Sequence, residues 1–193
     1  GKSNPYDDNG HGTSMAGILV ANGWINGVAK NVNLYVAKSL LENGSGYEED
    51  VVSGIDWCVN QNVNIISLSL GGGQDLFPLL GSSSRTIEDS VNDAMARGIF
   101  VVAAAGNDGG EEDDGDVASP GSERRVICVG GVTQSGSHWS KSSTGNNAVS
   151  FFPPKLPRGD PDKKPELVAP AKDVPVLNAQ GTWSSSSGTS AAT

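Results

Sequence analysis

Short apolar runs alternate along this chain with segments whose apolar residues recur at helical spacing. The predicted strands are 33–40, 63–70, 99–106 and 125–132, and the predicted helices are 47–62 and 85–98. Nearly continuous apolar strands are typical of a parallel sheet that is buried on both faces. The alternation therefore predicts an α/β fold, with a mostly parallel sheet and helices on both of its faces.

The ends of both predicted helices carry signals of their own. Three acidic residues at 48–50 fall in the first turn of the earlier helix, where the helix dipole favours negative charge. In the later helix, Thr86 is the expected cap, Asp89 stands three residues on as its capping-box partner, and Gly98 is suited to end the helix.

The chain beyond residue 132 is polar and rich in proline, which predicts loop with one short strand at 167–170. No internal repeat and no linker divides the sequence. Residues 1–193 are therefore predicted to form a single domain. Cys58 and Cys128 both lie in apolar segments, so we expect them to be small buried side chains.

Charge and hydropathy exclude several classes of partner. A formal net charge of −9 argues against binding to nucleic acid or to an anionic membrane. The longest apolar run, 99–105, is far shorter than a membrane span. Nucleic acid and membranes are therefore not predicted as partners.

The glycine-rich turns match no motif for a bound cofactor. The stretches 44–46 and 71–73 lack the spacing of the dinucleotide fingerprint and of the P-loop. Two histidines without paired cysteines argue against zinc. The acidic stretch 107–116 leaves a structural calcium ion open, but it lacks the EF-hand spacing and favours a solvated loop. No cofactor and no metal ligand is assigned.

Three segments instead carry residues that suit nucleophilic catalysis. In "NGHGTSMAGIL" (9–19), His11 stands between glycines, before a small-residue helix that Thr13 and Ser14 could cap. In "AAAGNDGG" (103–110), Asn107 follows a buried strand and could donate an N–H to an oxyanion. In "SGTSAAT" (187–193), Ser190 opens another small-residue helix. Each residue also has a purely structural interpretation: His11 as a surface histidine, Asn107 as a turn residue and Ser190 as a helix cap.

Taken together, "DDNGHGTSMAGI", "ISLSLGG", "VVAAAGN", "ELVAP" and "SGTSAA" resemble the subtilisin-like serine proteases, the subtilases of peptidase family S8. The resemblance extends over nearly the whole chain and implies a three-layer subtilisin-like fold. It implies that His11 is the general base and Ser190 the nucleophile of a serine endopeptidase. Asn107 and the backbone N–H of Ser190 would then stabilise the oxyanion.

The same resemblance implies a peptide-binding surface and partners. Its two walls would be Ser69, Leu70 and Gly71, and Ala104, Ala105 and Gly106, with Ala118 near the floor of the pocket. Polypeptides would be the substrates, and a propeptide is a further partner that the family implies. The acidic residues from Asp108 onward favour basic substrate residues. The Ser119–Pro120 peptide is expected to be cis. Secretion is the commoner case in the family, although intracellular members exist.

One part of the family pattern is not found. The catalytic acid of subtilases lies in an Asp-Ser/Thr-Gly upstream of the histidine, whereas Asp7 and Asp8 match the polar loop just before it. Residues 1–193 therefore look like a partial peptidase domain, from the His motif to the Ser motif, without the Asp-bearing strand and the C-terminal helices. We expect this piece alone to be inactive. The alternatives are an inactive subtilase fold that binds peptides and, less favoured, a nucleotide-binding protein.

Overall fold

The structure is a computed structural model, and it describes residues 6–71, 85–110, 113, 115–145 and 157–193. Its helices are α1 (His11–Val20), α2 (Glu48–Asn60), α3 (Ile87–Ala96) and α4 (Thr189–Ala192). Its strands are β1 (Ile65–Leu68), β2 (Phe100–Ala104), β3 (Ile127–Val132), β4 (Leu167–Pro170), β5 (Val174–Leu177) and β6 (Trp183–Ser186). No helix of this described part is long and apolar enough to cross a membrane.

Two sheets organise the described residues. β1, β2, β3 and β4 form a four-stranded sheet in that order, and each neighbouring pair is parallel. β5 and β6 form a separate antiparallel hairpin in which Val174 pairs with Ser186. The structure therefore confirms the predicted strands at 63–70, 99–106, 125–132 and 167–170. The first three are a few residues shorter than predicted, and the last has the predicted length.

Helices α2 and α3 cover one face of the parallel sheet. Their apolar side chains, Val51 and Ile55 from α2 and Val91 from α3, are buried in one cluster with Ile66 and Val101 of the strands. On the other side, α4 contacts β2, β3 and β4, and α1 contacts both α4 and β5. This arrangement places the two segments that carry His11 and Ser190 next to each other.

The ends of α3 confirm what the sequence predicts. The hydroxyl of Thr86 accepts from the backbone N–H of Asp89 at 3.1 Å, and the Asp89 carboxylate accepts from the Thr86 N–H at 3.2 Å. Gly98 has a φ of 83°, the left-handed conformation in which helices commonly end. The Ser119–Pro120 peptide is cis, as the resemblance implies.

The prediction of a buried strand at 33–40 is wrong. Leu34, Tyr35 and Val36 are exposed, with Val36 at 62%. A strand is stable only when a neighbour takes up its backbone hydrogen bonds, and no segment of the described ranges pairs with 33–40. The segment instead runs beside α2, where the rings of Tyr35 and Trp57 lie 6.2 Å apart.

Two further expectations need correction. The hairpin of β5 and β6 falls in a region that the sequence predicts to be loop, because Pro175 and the serines at 184–186 favour neither helix nor strand. Helix α1 is not capped by Thr13 or Ser14. It begins at His11 after Gly10, whose φ is 98°, and the two hydroxyls bind other groups, described below.

Candidate active site

The loops that follow β1 and β2 meet the start of α4 at the carboxyl ends of the sheet strands. Because β1 and β2 are parallel, their carboxyl ends lie side by side. The backbone N–H of Gly106 donates to Thr189 Oγ1 at 3.1 Å, and the N–H of Thr189 donates to Asn107 Oδ1 at 2.9 Å. The fully buried Thr189 thereby fastens α4 to the end of β2.

Ser190 is joined to the loop after β1 by a reciprocal pair of hydrogen bonds. The hydroxyl of Ser190 donates to the carbonyl oxygen of Ser69 at 3.1 Å. The hydroxyl of Ser69 donates in turn to the carbonyl oxygen of Ser190 at 3.0 Å. Ser190 is half-buried, so its hydroxyl lies at the surface of this edge and not within the core.

The hydrogen bonding of its oxygen atom orients the side-chain amide of Asn107. Oδ1 accepts from the N–H of Thr189 at 2.9 Å. The Thr189 hydroxyl lies within donating distance of both Asn107 Oδ1, at 3.2 Å, and the carbonyl oxygen of Gly106, at 3.1 Å. A Cβ placed on Gly188 would lie 3.8 Å from both Oδ1 and Nδ2 of Asn107 and 3.8 Å from the backbone nitrogen of Ser190. The side-chain amide of Asn107 and the backbone nitrogen of Ser190 therefore both lie next to Gly188.

His11 is the first residue of α1 and is half-buried. Burial lowers the pKa of its imidazole, and the negative charge of Asp7 offsets part of that shift. Helix α1 contacts α4, the helix that carries Ser190. Within the described residues, however, the Ser190 hydroxyl donates to Ser69 and no hydrogen bond joins it to His11.

The two carboxylates that precede His11 in the sequence are engaged elsewhere. Asp7 accepts from the N–H groups of Asn9 and Gly10, and from the N–H and the hydroxyl of Thr13, at 2.7 to 3.0 Å. A carboxylate has about four acceptor positions, so these bonds fill it. Asp8 pairs with the ammonium of Lys38 at 3.0 Å. Neither carboxylate is hydrogen-bonded to the His11 imidazole.

The two predicted walls of the peptide site lie close to each other, with Ala118 against both. A Cβ on Gly71 would lie 3.0 Å from the Cβ of Ala118, and a Cβ on Gly106 would lie 3.1 Å from it. The other predicted wall residues extend these two loops: Ser69 and Leu70 follow β1, Ala104 ends β2 and Ala105 follows it. A side chain on either glycine would crowd Ala118, so the two loops can approach Ala118 this closely only because both positions are glycine.

The β5–β6 hairpin packs against α1 at Ser14 and Gly17. The hydroxyl of Ser14 donates to the carbonyl oxygen of Leu177 at 3.0 Å. A Cβ on Gly17 would lie only 3.1 Å from the Cβ of Leu177. The hairpin and the helix therefore approach so closely that only a very small residue fits at position 17.

We expect Gly17→Val to lower the free energy of unfolding by about 1–3 kcal/mol, since it overpacks the contact with Leu177. Gly17→Ala is the matched control. Its single methyl group adds helix propensity worth up to about 1 kcal/mol, which offsets the tighter contact. Urea unfolding of the full-length protein measures both changes. Equal stability of the two variants would show that the hairpin does not press on α1.

Comparison with known proteins assigns this arrangement to a family. The sequence model of the subtilase family, peptidase S8, matches residues 1–193, the whole chain. The chain belongs to the subtilase family.

Named relatives and solved structures agree with this assignment. The chain is 35% identical to Subtilisin DY of Bacillus licheniformis over 195 residues, which cover 100% of this chain and 62% of that protein. It is 32% identical to Serine protease AprX of Bacillus subtilis, over 94% of this chain and 42% of that protein. The chain thus spans only part of the length of the curated relatives it matches.

A crystal structure of a cold adapted subtilisin-like serine proteinase superposes on this subtilase chain with a TM-score of 0.75 and 31% identity. The match covers 100% of this chain and 60% of that one. Sphericase gives the same TM-score with 32% identity. These likenesses confirm the predicted α/β subtilisin-like fold with its mostly parallel sheet.

Two residues of this subtilase site were given no role by the sequence analysis. Thr189, between the glycine and the serine of "GTS", links Gly106 and Asn107 to α4. Asp7 binds the start of α1. The sequence could have pointed to both residues only because each is a short polar residue near a motif residue. Many loop residues share that property.

The acidic stretch after Asn107 is partly described. Asp113 accepts from the N–H of Gly115 at 2.8 Å and from the hydroxyl of Thr144 at 2.7 Å, so its carboxylate serves the local backbone. Residues 111, 112 and 114 lie outside the described residues. Within the described ranges, no group of three or more His, Cys, Asp or Glu side chains is arranged to hold a metal ion.

Proposed function

We propose that this subtilase chain carries the nucleophile, the general base and the oxyanion donors of a serine endopeptidase. The observation that carries the proposal is that the side-chain amide of Asn107 and the backbone nitrogen of Ser190 lie at the same distance from one position beside Gly188. Donors fixed around the position of a developing negative charge are the main electrostatic device of acyl transfer.

The proposed reaction uses these groups in turn. Ser190 Oγ attacks the carbonyl carbon of the peptide bond while the imidazole of His11 takes its proton. The carbonyl oxygen becomes negative between the two N–H donors, and His11 then gives the proton to the leaving amine. A water molecule, activated by the same imidazole, hydrolyses the acyl ester and restores Ser190.

The substrate is proposed to be an extended polypeptide. Residues 69–71 continue from β1, a strand at the edge of the described parallel sheet. An extended chain can add to such an edge through backbone hydrogen bonds, and its side chain before the scissile bond would lie beside the two loops that contact Ala118.

A serine-directed fluorophosphonate tests the proposal in the full-length protein. We expect covalent labelling of Ser190, together with cleavage of an unstructured polypeptide such as denatured casein. The reagent bonds only to an activated serine, so labelling also separates this function from its alternative. A labelled serine at a different position would contradict the assignment of Ser190.

The alternative is an inactive subtilase fold that binds peptides. The observation that favours it is the hydrogen bond from the Ser190 hydroxyl to Ser69 and not to His11. This alternative predicts that the protein binds an extended peptide without cleaving it. It also predicts no reaction with the fluorophosphonate.

We further propose that residues 1–193 by themselves do not hydrolyse peptides. Asp7 is filled by other donors and Asp8 is paired with Lys38, so neither can orient the imidazole. Without that partner, the histidine loses the tautomer and orientation that it needs. Hydrolysis by the purified 193-residue piece at the rate of the full-length protein would contradict this proposal.

Charge beside the pocket gives a prediction for specificity. The carboxylate of Asp108 would lie 3.5 Å from a Cβ on Gly106, next to one wall of the proposed pocket. Two charges about 4 Å apart in water interact by about 1 kcal/mol, a factor of about five. We therefore expect Asp108→Asn to reduce the ratio of kcat/KM for Lys over Leu before the scissile bond by about fivefold.

Paired peptides that differ only at that residue measure the ratio. Asp160→Asn is the matched control, because this exposed carboxylate pairs with Lys163 in another loop and carries the same charge. An unchanged ratio in Asp108→Asn would mean that the carboxylate does not act on the bound side chain.

A further inference from the structure

The loop before α1 is organised around one carboxylate. Gly10 occupies the capping position of α1 but has no side chain to accept from the first-turn N–H groups. Asp7 takes over this role from outside the helix. Its Oδ1 accepts from the N–H groups of Asn9 and Gly10 at 3.0 and 2.8 Å, and its Oδ2 accepts from the N–H of Thr13 at 2.8 Å.

The hydroxyl of Thr13 adds a fourth bond to the same carboxylate, at 2.7 Å. Asn9 completes the loop: its Oδ1 accepts from the N–H of His11 at 3.2 Å, and its Nδ2 donates to the carbonyl oxygen of Glu42 at 2.8 Å. The backbone on both sides of His11 is therefore held by side chains of the preceding loop.

We propose that Asp7 is a positioning residue for His11, because its carboxylate fixes the first turn of α1 and with it the direction from which the imidazole approaches Ser190. This inference rests on the proposed endopeptidase function. Asp7 is distinct from the acid of the triad, since its oxygens are filled by donors from the loop and the helix and none reaches the imidazole.

The charge of Asp7 supports this role over the whole working range of pH. Partial burial acts to raise the pKa of its carboxyl group, but the bonds from Thr13, Gly10 and Asn9 outweigh burial and hold the pKa well below its usual range. Asp7 is therefore a carboxylate whenever His11 is titrating. A negative charge at the start of a helix also complements the helix dipole.

The same charge acts on the proton affinity of His11. Burial lowers the pKa of the imidazole, and the Coulomb attraction of Asp7 for the imidazolium raises it again in part. Among the described helices and strands, β5 and α4 make the main contacts with α1, and neither carries a titratable side chain. The nearby Asp8 is paired with Lys38. Removal of the charge at position 7 should therefore lower the pKa of His11.

The test compares Asp7→Ala, Asp7→Asn and the control Asp8→Ala in the full-length protein, with kcat and KM measured on one peptide substrate. We expect Asp7→Ala to lower kcat by about 10- to 100-fold, the range that a misplacement of about 1 Å costs, with KM nearly unchanged. Asp8→Ala removes the same charge from the neighbouring residue without touching α1, and should stay within about twofold of wild type.

Asp7→Asn keeps one acceptor oxygen and loses the charge. It should recover much of kcat and move the acid limb of kcat/KM to lower pH, a shift that a purely structural role would not produce. This variant also keeps the test decisive if Asp7→Ala folds poorly. The proposal is overturned if Asp7→Ala behaves like Asp8→Ala, or if the acid limb of Asp7→Asn stays in place.

Failure of the proposed function looks different from failure of this inference. If the wild-type protein neither reacts with the fluorophosphonate nor cleaves peptide, the endopeptidase proposal is wrong, and the role of Asp7 in it falls as well. If the wild type is active and labelled, the three variants decide on Asp7 alone.

Discussion

Replacement of Ser190 by alanine is expected to lower kcat by about 10⁶-fold, the size of loss known for a subtilisin, a member of the same family. The hydroxyl is the atom that forms the new bond to the substrate, so nothing in the site can replace it. The residual rate would come from the oxyanion donors and from substrate binding. Hydrolysis of a chromogenic peptide by the full-length variant, followed over hours, measures the loss.

His11→Ala and the double variant test whether the two side chains act as a unit. If the imidazole serves only to activate Ser190, the double variant should be no slower than Ser190→Ala alone. Losses that multiply would mean that His11 contributes independently of the serine. A wild-type rate in Ser190→Ala would assign the nucleophile to another residue.

Replacement of Asn107 by leucine is expected to lower kcat by about 10²–10³-fold with little change in KM, again as known for a subtilisin. The amide nitrogen would stabilise negative charge that exists only after the serine has attacked, so its loss affects the transition state more than substrate binding. Steady-state kinetics on the peptide used for Ser190 separates the two constants.

Asn107→Asp separates donation from orientation. This variant keeps an oxygen for the N–H of Thr189, which Asn107 Oδ1 accepts at 2.9 Å. It replaces the amide nitrogen with a second, negatively charged acceptor. We expect a loss of kcat at least as large as that of Asn107→Leu. A nearly normal kcat in Asn107→Asp would show that the residue only anchors α4.

The sequence predicted the parts of the fold whose signals are local. In α3, the cap, its partner and the terminal glycine all lie within one segment, and the capping box and the left-handed Gly98 follow from them. The strands β1, β2 and β3 were found for the same reason. Each of them is a nearly continuous apolar run, and such runs are recognisable without knowledge of their neighbours.

The parts that depend on distant neighbours were not predicted. The run at 33–40 has the composition of a strand, yet its pairing depends on a partner segment and not on its own residues. The β5–β6 hairpin shows the converse. Its serines have little strand propensity, and its place is set by contact with α1, through Ser14 and Leu177.

The residues of the site also fall into those that the sequence predicted and those that it did not. His11, Asn107 and Ser190 were named because each stands in a short motif that resembles the family pattern, and their catalytic roles stay predictions until the variants are measured. Asp7 and Thr189 act through hydrogen bonds that form only after folding. A sequence shows which residues could bond, but it does not show which donors come within about 3 Å.

The contact between Ser14 and Leu177 joins residues that are 163 positions apart. The bond between Ser190 and Ser69 spans 121 positions. Closing such long loops is entropically costly, and contacts of this range form late compared with local helices. During synthesis, the helix that carries the proposed base leaves the ribosome long before the β5–β6 hairpin and the nucleophile exist. The contacts that position α1 and α4 can therefore form only after Leu177 and Ser190 have been synthesised.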